Sequence, residues 1–311
     1  MAHILVTGGT GTVGKSITKL LIQQGFAVCV LTRTPEKYVA TNNLQYAKWD
    51  VDKGEINERA ITAASAIIHL AGEGVADKRW NAKRKQAILD SRVKSGELLV
   101  KKLQQLPHNV TTFISSSAIG WYGPDTSSSA EYGFAETQPH FNDFLGNTCY
   151  AWEQSTQPLV QLGIRCVWLR TGIVLSNTGG ALIEFKRSIK LGVAAILSNG
   201  LQKVSWISIK DLSSMFLFAL QHKINGVYNA VAPAPSTNKH LTLTLAKLHR
   251  GSVYLPIHVP AFLLKIMLGE MSIEVLKSCT VNAEKIQLDG FHFEHATIEK
   301  ALHYLRENPT L

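Results

Sequence analysis

The sequence predicts a doubly wound α/β fold, a parallel sheet with helices on both faces, and a smaller substrate lobe at the C-terminal end. Three observations carry this. Short apolar runs alternate with helical stretches over roughly the first 175 residues, the mark of βαβ units and a parallel sheet. Most of those runs are apolar throughout, as strands covered on both faces are. A glycine triad, Gly8, Gly11 and Gly14, joins the first run to the first helix, where a parallel sheet opens its ligand crevice.

Taken in order, strands are expected at Ile4–Thr7, Val28–Leu31, Leu44–Trp49, Ala66–Leu70, Thr112–Ser116 and Cys166–Leu169. Helices are expected between them at about Val13–Gln24, Asn81–Gln105 and Asp143–Leu162. Beyond Gly172 the pattern loosens. Gly179-Gly180 precedes a helix at Ala181–Leu191, and a strand follows around Val204–Ile207. Asp211 is placed to N-cap a helix over Leu212–Gln221. Gly226–Ala230 reads as the last sheet strand, before the turn Ala232-Pro233-Ala234-Pro235. The tail from Leu241 reads as helical segments separated by Pro256 and Pro260, ending in Ile298–Leu305. The expected division is a Rossmann domain over 1–235, with a lobe insertion near 179–205, and a helical lobe over 236–311.

Composition bounds the partners. With 45% hydrophobic and 18% charged residues in 311, the chain is globular. No apolar run approaches the roughly 20 residues that span a bilayer, and Met1 leads directly into a strand-like run. A cytoplasmic protein with no membrane partner is expected. The formal charge of +9 is dispersed, Lys83-Arg84-Lys85 being its one dense run. A basic surface that attracts a dinucleotide phosphate is therefore favoured over nucleic-acid binding. Cys29, Cys149, Cys166 and Cys279 lie too far apart for a CxxC site, and of the histidines only His292 and His295 fall close together. Neither a disulfide framework nor a metal site is expected.

The segment Thr7-Gly8-Gly9-Thr10-Gly11-Thr12-Val13-Gly14 makes the sharpest functional statement. Gly8 permits the tight turn off the strand and Gly11 the approach of backbone to a pyrophosphate held by helix N-terminal amides. Gly14 permits close packing of helix on strand. The second strand ends in Thr32-Arg33, where NAD-selective proteins carry an acid for the ribose hydroxyls. A guanidinium there favours a 2′-phosphate through charge and forked hydrogen bonds, so NADP(H) is the expected cofactor.

A resemblance covers essentially the whole chain. Gly8–Gly14, Leu70-Ala71-Gly72-Glu73, Arg79-Trp80, Ser91-Arg92 and Ser115-Ser116-Ser117-Ala118-Ile119-Gly120-Trp121-Tyr122-Gly123 are similar to the atypical extended short-chain dehydrogenase/reductases called the epimerase family, the SDR39U1-like and YfcH-like group. Trp152-Glu153, Leu169-Arg170-Thr171-Gly172, Gly179-Gly180-Ala181, Ser205-Trp206-Ile207, Gly269-Glu270 and Gly290-Phe291-His292-Phe293 continue the match. The resemblance implies NADP(H) on the glycine loop and Thr32-Arg33. It sets Leu70, Ala71 and Gly72 beside the adenosine and ribose, Arg92 near the cofactor, and Val174 near the nicotinamide. It sets Gln202 and Trp206 at the floor of the substrate pocket. The sequence departs from relatives at Ser208 and Lys210, where His and Asp are frequent.

Chemistry in that superfamily rests on a serine and a YxxxK pair, the tyrosinate exchanging the proton and the lysine lowering its pKa. Ser117 takes the serine position. The expected helix reads Leu145-Gly146-Asn147-Thr148-Cys149-Tyr150-Ala151-Trp152-Glu153-Gln154, with no lysine, and aligning Glu153 sets Leu145 and Cys149 at the Tyr and Lys positions. Tyr122, Glu153 and Cys149 are the candidate replacements. Tyr122 is preferred because it shares the Ser117 loop, although a packing aromatic at that position is an equal alternative. Two functions follow: an NADP(H)-dependent oxidoreductase or epimerase on a small polar, nucleotide-linked substrate, or a non-enzymatic NADP(H) redox sensor. Homodimerisation is compatible with either.

Overall fold

Ile4, Leu5 and Val6 are buried on both faces of their strand, which marks it as central to a two-sided sheet. In the computed structural model, which describes residues 3–310, the chain runs β1 (His3–Thr7), α1 (Thr12–Gln23), β2 (Ala27–Thr32), β3 (Leu44–Asp50), β4 (Glu55–Ile56), α2 (Glu58–Ala63), β5 (Ala66–His69), α3 (Ala82–Gln105), β6 (Thr112–Ala118), α4 (Ser127–Tyr132), α5 (Phe144–Thr156) and β7 (Arg165–Thr171). The strand Gly226–Ala230 completes an eight-stranded sheet of order Gly226–Ala230, β7, β6, β5, β1, β2, β3, β4. All neighbours are parallel except β3 and the short edge strand β4. The order reverses at β1, which pairs β2 on one side and β5 on the other. The crevice outside the carboxyl ends of those three strands is where such a sheet binds ligands.

Two apolar layers cover the sheet. One joins Ile17 and Leu21 of α1 to Met215 and Phe216 of the helix Ile209–Gln221. The other packs Leu98, Leu99 and Leu103 of α3 on Leu5, Ile67 and Phe113. Among the described residues no helix is long and apolar enough to cross a membrane.

A third core, around Leu182, Trp206, Leu241, Leu245, Ile298 and Leu302, holds the smaller lobe. Here the sequence expectation needs correction. The tail is not helical throughout: Leu255–Val259 is a strand lying parallel to Val193–Leu197. Pro256 is tolerated because Leu255 donates to the Gly192 carbonyl and the Val259 carbonyl accepts from Ser198. The missing N–H at 256 then faces the open edge of a two-stranded sheet.

Two helix boundaries also shift. The helix expected over Asp143–Leu162 stops at Thr156, with a separate turn at Pro158–Gln161, since Pro158 offers no N–H and its ring crowds the preceding turn. Ser208, not Asp211, caps Ile209–Gln221 by accepting the Asp211 amide. Asp211 is turned instead toward the tail, where its carboxylate accepts the amides of Glu294 and His295 and pairs with the His295 ring at 3.2 Å.

Candidate functional site

The glycine loop fills the turn from β1 to α1 with no space to spare. Gly8 sits at φ +67°, and a Cβ there would lie 2.8 Å from the Leu70 carbonyl carbon. At Gly14 a Cβ would lie 2.2 Å from the Gly8 carbonyl oxygen, so helix and loop touch backbone to backbone. Gly11 differs: its conformation is extended, and a Cβ would meet only the Gly8 oxygen at 3.4 Å. The room above Gly11 is a cradle that any side chain would fill. Gly11 is also the N-cap of α1, with no side chain bonded to the first-turn amides and no acid in that turn. Those amides and the helix dipole are free for an anion.

The cradle belongs to a groove of about 1140 Å³. The structure brings Gly8, Thr10, Gly11, Thr12, Val13, Gly14, Thr32, Arg33, Leu70, Ala71, Gly72 and Val174 together on its walls, with Asp50 to Asp52 and Gly179-Gly180. Arg33 is exposed at the end of β2. Lys48 donates its ammonium to the Arg33 carbonyl, and Lys37 lines the same end. The lining thus carries the positive charges of Arg33 and Lys37 together with the carboxylates of Asp50 and Asp52. The groove joins the Gly11 cradle to the end of β2 along one continuous lining.

A buried chain of hydrogen bonds fixes the β5 wall. The Thr7 hydroxyl oxygen accepts the amides of Leu70 and Ala71 at 3.1 and 3.2 Å. Its own proton therefore goes to His69 Nδ1 at 2.8 Å, leaving the His69 Nε2–H to face Ser95 Oγ at 3.3 Å. Ser95 in turn donates to the Arg92 carbonyl at 3.0 Å. Desolvation holds the His69 pKa down to about 3, so the ring is a neutral brace with one defined tautomer.

Arg92 is half-buried against this wall, next to Gly72. Its guanidinium stacks 5.0 Å over Trp152 and donates to the Ile88 carbonyl, and a Cβ on Gly72 would come within 3.2 Å of it.

At the end of β6, the Ser117 hydroxyl donates to Glu153 Oε1 at 2.7 Å. Glu153 takes a forked pair of bonds from Arg170, at 2.9 and 3.0 Å, with both side chains almost fully buried. Arg170 stacks 3.5 Å over Trp121 and donates to Tyr122 Oη and to the Glu136 carbonyl, each at 3.1 Å. A buried arginine needs a buried acid. That arginine amid the apolar residues of β7 was the signal that could have singled out Glu153 and Arg170 as partners from sequence.

Tyr122 takes the second of its two expected placements, that of a packing aromatic. It is 1% exposed, stacked on Phe134 at 5.0 Å, and its hydroxyl donates to Asn229 Oδ1 at 2.8 Å. Burial pushes its phenol far above the ordinary range, against the opposing pull of Arg170. The turn Ile119–Trp121 sends it into the core. Trp206 is fully buried in the smaller lobe with its indole N–H on the Ala234 carbonyl. Gln202 is buried, with Nε2 on the Leu197 and Val275 carbonyls and Oε1 unpartnered. Where the tyrosine and lysine of a proton-transfer pair would stand, Leu145 and Cys149 pack against Gly120. Burial, reinforced by Glu153, pushes the Cys149 thiol up to about 12, so it is not a thiolate at neutral pH.

Residues 4–230 match the NAD dependent epimerase/dehydratase family, and residues 259–305 match DUF1731, a domain of unknown function. The chain is 32% identical over 305 residues to the epimerase family protein YfhF of Bacillus subtilis, covering 97% of each chain. It is 30% identical over 310 residues to epimerase family protein Mb2239 of Mycobacterium bovis, covering 99% of each. Among solved structures it resembles human epimerase family protein SDR39U1, isoform 2, with NADPH. The TM-score is 0.83 at 25% identity, over 98% of this chain and 99% of that one. A UDP-N-acetylglucosamine 4-epimerase from Bacillus cereus shares the fold, with a TM-score of 0.75 at 19% identity over the full length of both.

Proposed function

The chain belongs to the NAD-dependent epimerase/dehydratase family, and from that premise we propose that it is an NADP(H)-dependent oxidoreductase or epimerase acting on a small polar, nucleotide-linked substrate. The observation that carries the reading is the Gly11 cradle over an uncapped helix N-terminus, continuous with Arg33 at the other end of one groove. The α1 amides hold a pyrophosphate and Arg33 pairs a 2′-phosphate, which is where NADP(H) differs from NAD(H). Similarity to a human protein solved with NADPH supports this choice. A bound nicotinamide supplies hydride transfer.

The chain's own chemistry is narrow. Ser117 has committed its proton to Glu153, whose carboxylate also takes the forked pair of bonds from Arg170. Ser117 is as buried as Tyr122, so in our reading it meets a substrate only where the end of β6 opens to the groove, and it then offers lone pairs rather than a proton. The four cysteines are free thiols, which suits the reducing cytoplasm in which we place the protein.

One arrangement favours a second reading, a redox sensor without turnover: Leu145 and Cys149 replace the proton-transfer pair, and Tyr122 is sealed in the core. A turnover screen of NADP⁺ and NADPH against sugar nucleotides, small alcohols and small carbonyls decides. Turnover that Ser117→Ala abolishes supports the enzyme. Micromolar cofactor binding with no turnover on any substrate supports the sensor.

A further inference from the structure

We propose that a second ligand site, for a planar aromatic carboxylate, lies beside α1 and shares the wall formed by Tyr38 with the dinucleotide groove. A cavity of about 330 Å³ runs along this helix against β2 and β3, within the range of small-molecule sites. Its walls are apolar, built from Ile22, Val30 and Leu44. Tyr38 and Tyr46 close one side as a stacked pair, with ring centroids 4.8 Å apart and planes 17° from parallel. A flat double wall of this kind suits a fused or substituted ring.

Two polar features make the cavity a site rather than a packing gap. The Thr18 side chain lines it, is 6% exposed, and carries a buried hydroxyl with no hydrogen-bond partner. A helical threonine ordinarily returns its hydroxyl to a carbonyl of the preceding turn, and a buried polar atom left unpaired is costly. Lys15 and Lys19, one helical turn apart, lie on the same lining, which contains no acidic side chain. The cavity thus offers apolar walls, one waiting hydroxyl and a doubly cationic edge. Inorganic phosphate would leave the walls bare, and a neutral hydrocarbon would leave Thr18 unpaired. A ring bearing a carboxylate answers all three.

The probe is naphthalene-2-carboxylate, titrated calorimetrically with and without saturating NADP⁺. The expected result is saturable binding of one molecule per chain under both conditions. Thr18→Val, which keeps the shape and removes the hydroxyl, should weaken it about 3- to 10-fold. Thr18→Ser should retain wild-type affinity, separating the hydroxyl from any loss of packing. Lys19→Gln should weaken binding and flatten its salt dependence. NADP⁺ affinity should be unchanged in all three variants, whose melting curves establish that they fold. Absence of saturable binding overturns the proposal. So does binding that NADP⁺ displaces, which would put the acid in the dinucleotide groove, or equal affinity for wild type and Thr18→Val.

Discussion

Gly11→Ala separates the two duties of the glycine loop, ligand approach and backbone packing. The folded chain has room for the new methyl group, since its only neighbour is the Gly8 oxygen at 3.4 Å. The backbone at φ −78°, ψ 176° is accessible to alanine. Alanine caps a helix less well than glycine, by a few tenths to about 1 kcal/mol, while the lost flexibility of the unfolded chain returns about 0.4–1 kcal/mol. The two nearly cancel, so the melting temperature should move by no more than a few degrees, or about 1 kcal/mol. Binding is different, because the methyl group occupies the space a pyrophosphate must enter. Losing even one charge-assisted bond to an amide costs about 1.5–3 kcal/mol, so NADPH should bind on the order of 100-fold more weakly. Gly14→Ala gives the opposite signature. Its Cβ would sit 2.2 Å from the Gly8 oxygen and 2.5 Å from the Gly9 Cα, both backbone, so overpacking should cost about 3 kcal/mol or more. Calorimetric titration and thermal melts read the two effects separately. Near-wild-type NADPH binding by Gly11→Ala would refute the cradle assignment.

Arg33→Asp should erase or invert a preference for NADPH over NADH, a change of about 10- to 100-fold for one lost charge-assisted pair; equal affinities in the unmutated protein would sink the idea. Ser117→Ala should lower turnover about 100-fold or more while leaving NADPH affinity intact, and full activity would remove Ser117 from the mechanism. Glu153→Gln should destabilise by about 3–5 kcal/mol because Arg170 stays buried without its partner; adding Arg170→Met should recover most of the loss, and a double variant no better than the single would contradict this. His69 gives a pH dependence. Desolvation lowers its folded pKa to about 3, so below about pH 6.5 the unfolded chain takes up a proton that the folded chain refuses. Its share of stability is whole above pH 6.5 and falls as pH drops toward 3, by about 1.4 kcal/mol per unit. Urea melts between pH 6.5 and 5, above the main carboxylate range, should show that slope flattened in His69→Gln; identical slopes would count against the buried neutral ring.

The parts legible in the sequence were those encoded over short spans. Strand, glycine triad and helix lie within residues 3–23, and each residue there constrains its neighbours, so the crevice could be read directly. The pairing of Val193–Leu197 with Leu255–Val259 could not, because its partners are some sixty residues apart and Pro256 reads locally as a helix breaker. The choice between the two readings of Tyr122 was illegible for a related reason. Closeness to Ser117 in sequence says nothing about which way a single 3-10 turn points the next ring, and Asn229 and Phe134, which capture it, come from distant segments. The burial of Trp206 was equally illegible, since a strand residue near a pocket and one beneath it have the same sequence pattern.

The buried network bears on which reactions the fold can support. Glu153 receives three hydrogen bonds, one from Ser117 and two from Arg170. Both of its oxygens are therefore engaged by protein donors rather than open to a substrate. Tyr122 is committed to Asn229 and Cys149 is held as a thiol. Every alternative for a proton donor close to Ser117 is therefore occupied with structure. With Tyr122, Glu153 and Cys149 so engaged, we expect a redox step here to move its proton through the substrate's own ionisable group or through solvent reaching the groove. A substrate whose hydroxyl is already acidic would react without help, whereas a simple alcohol would not. Measured turnover should consequently rise as the pKa of the substrate hydroxyl falls across a homologous series, and a rate independent of that pKa would require a proton donor that Ser117 and its neighbours do not supply.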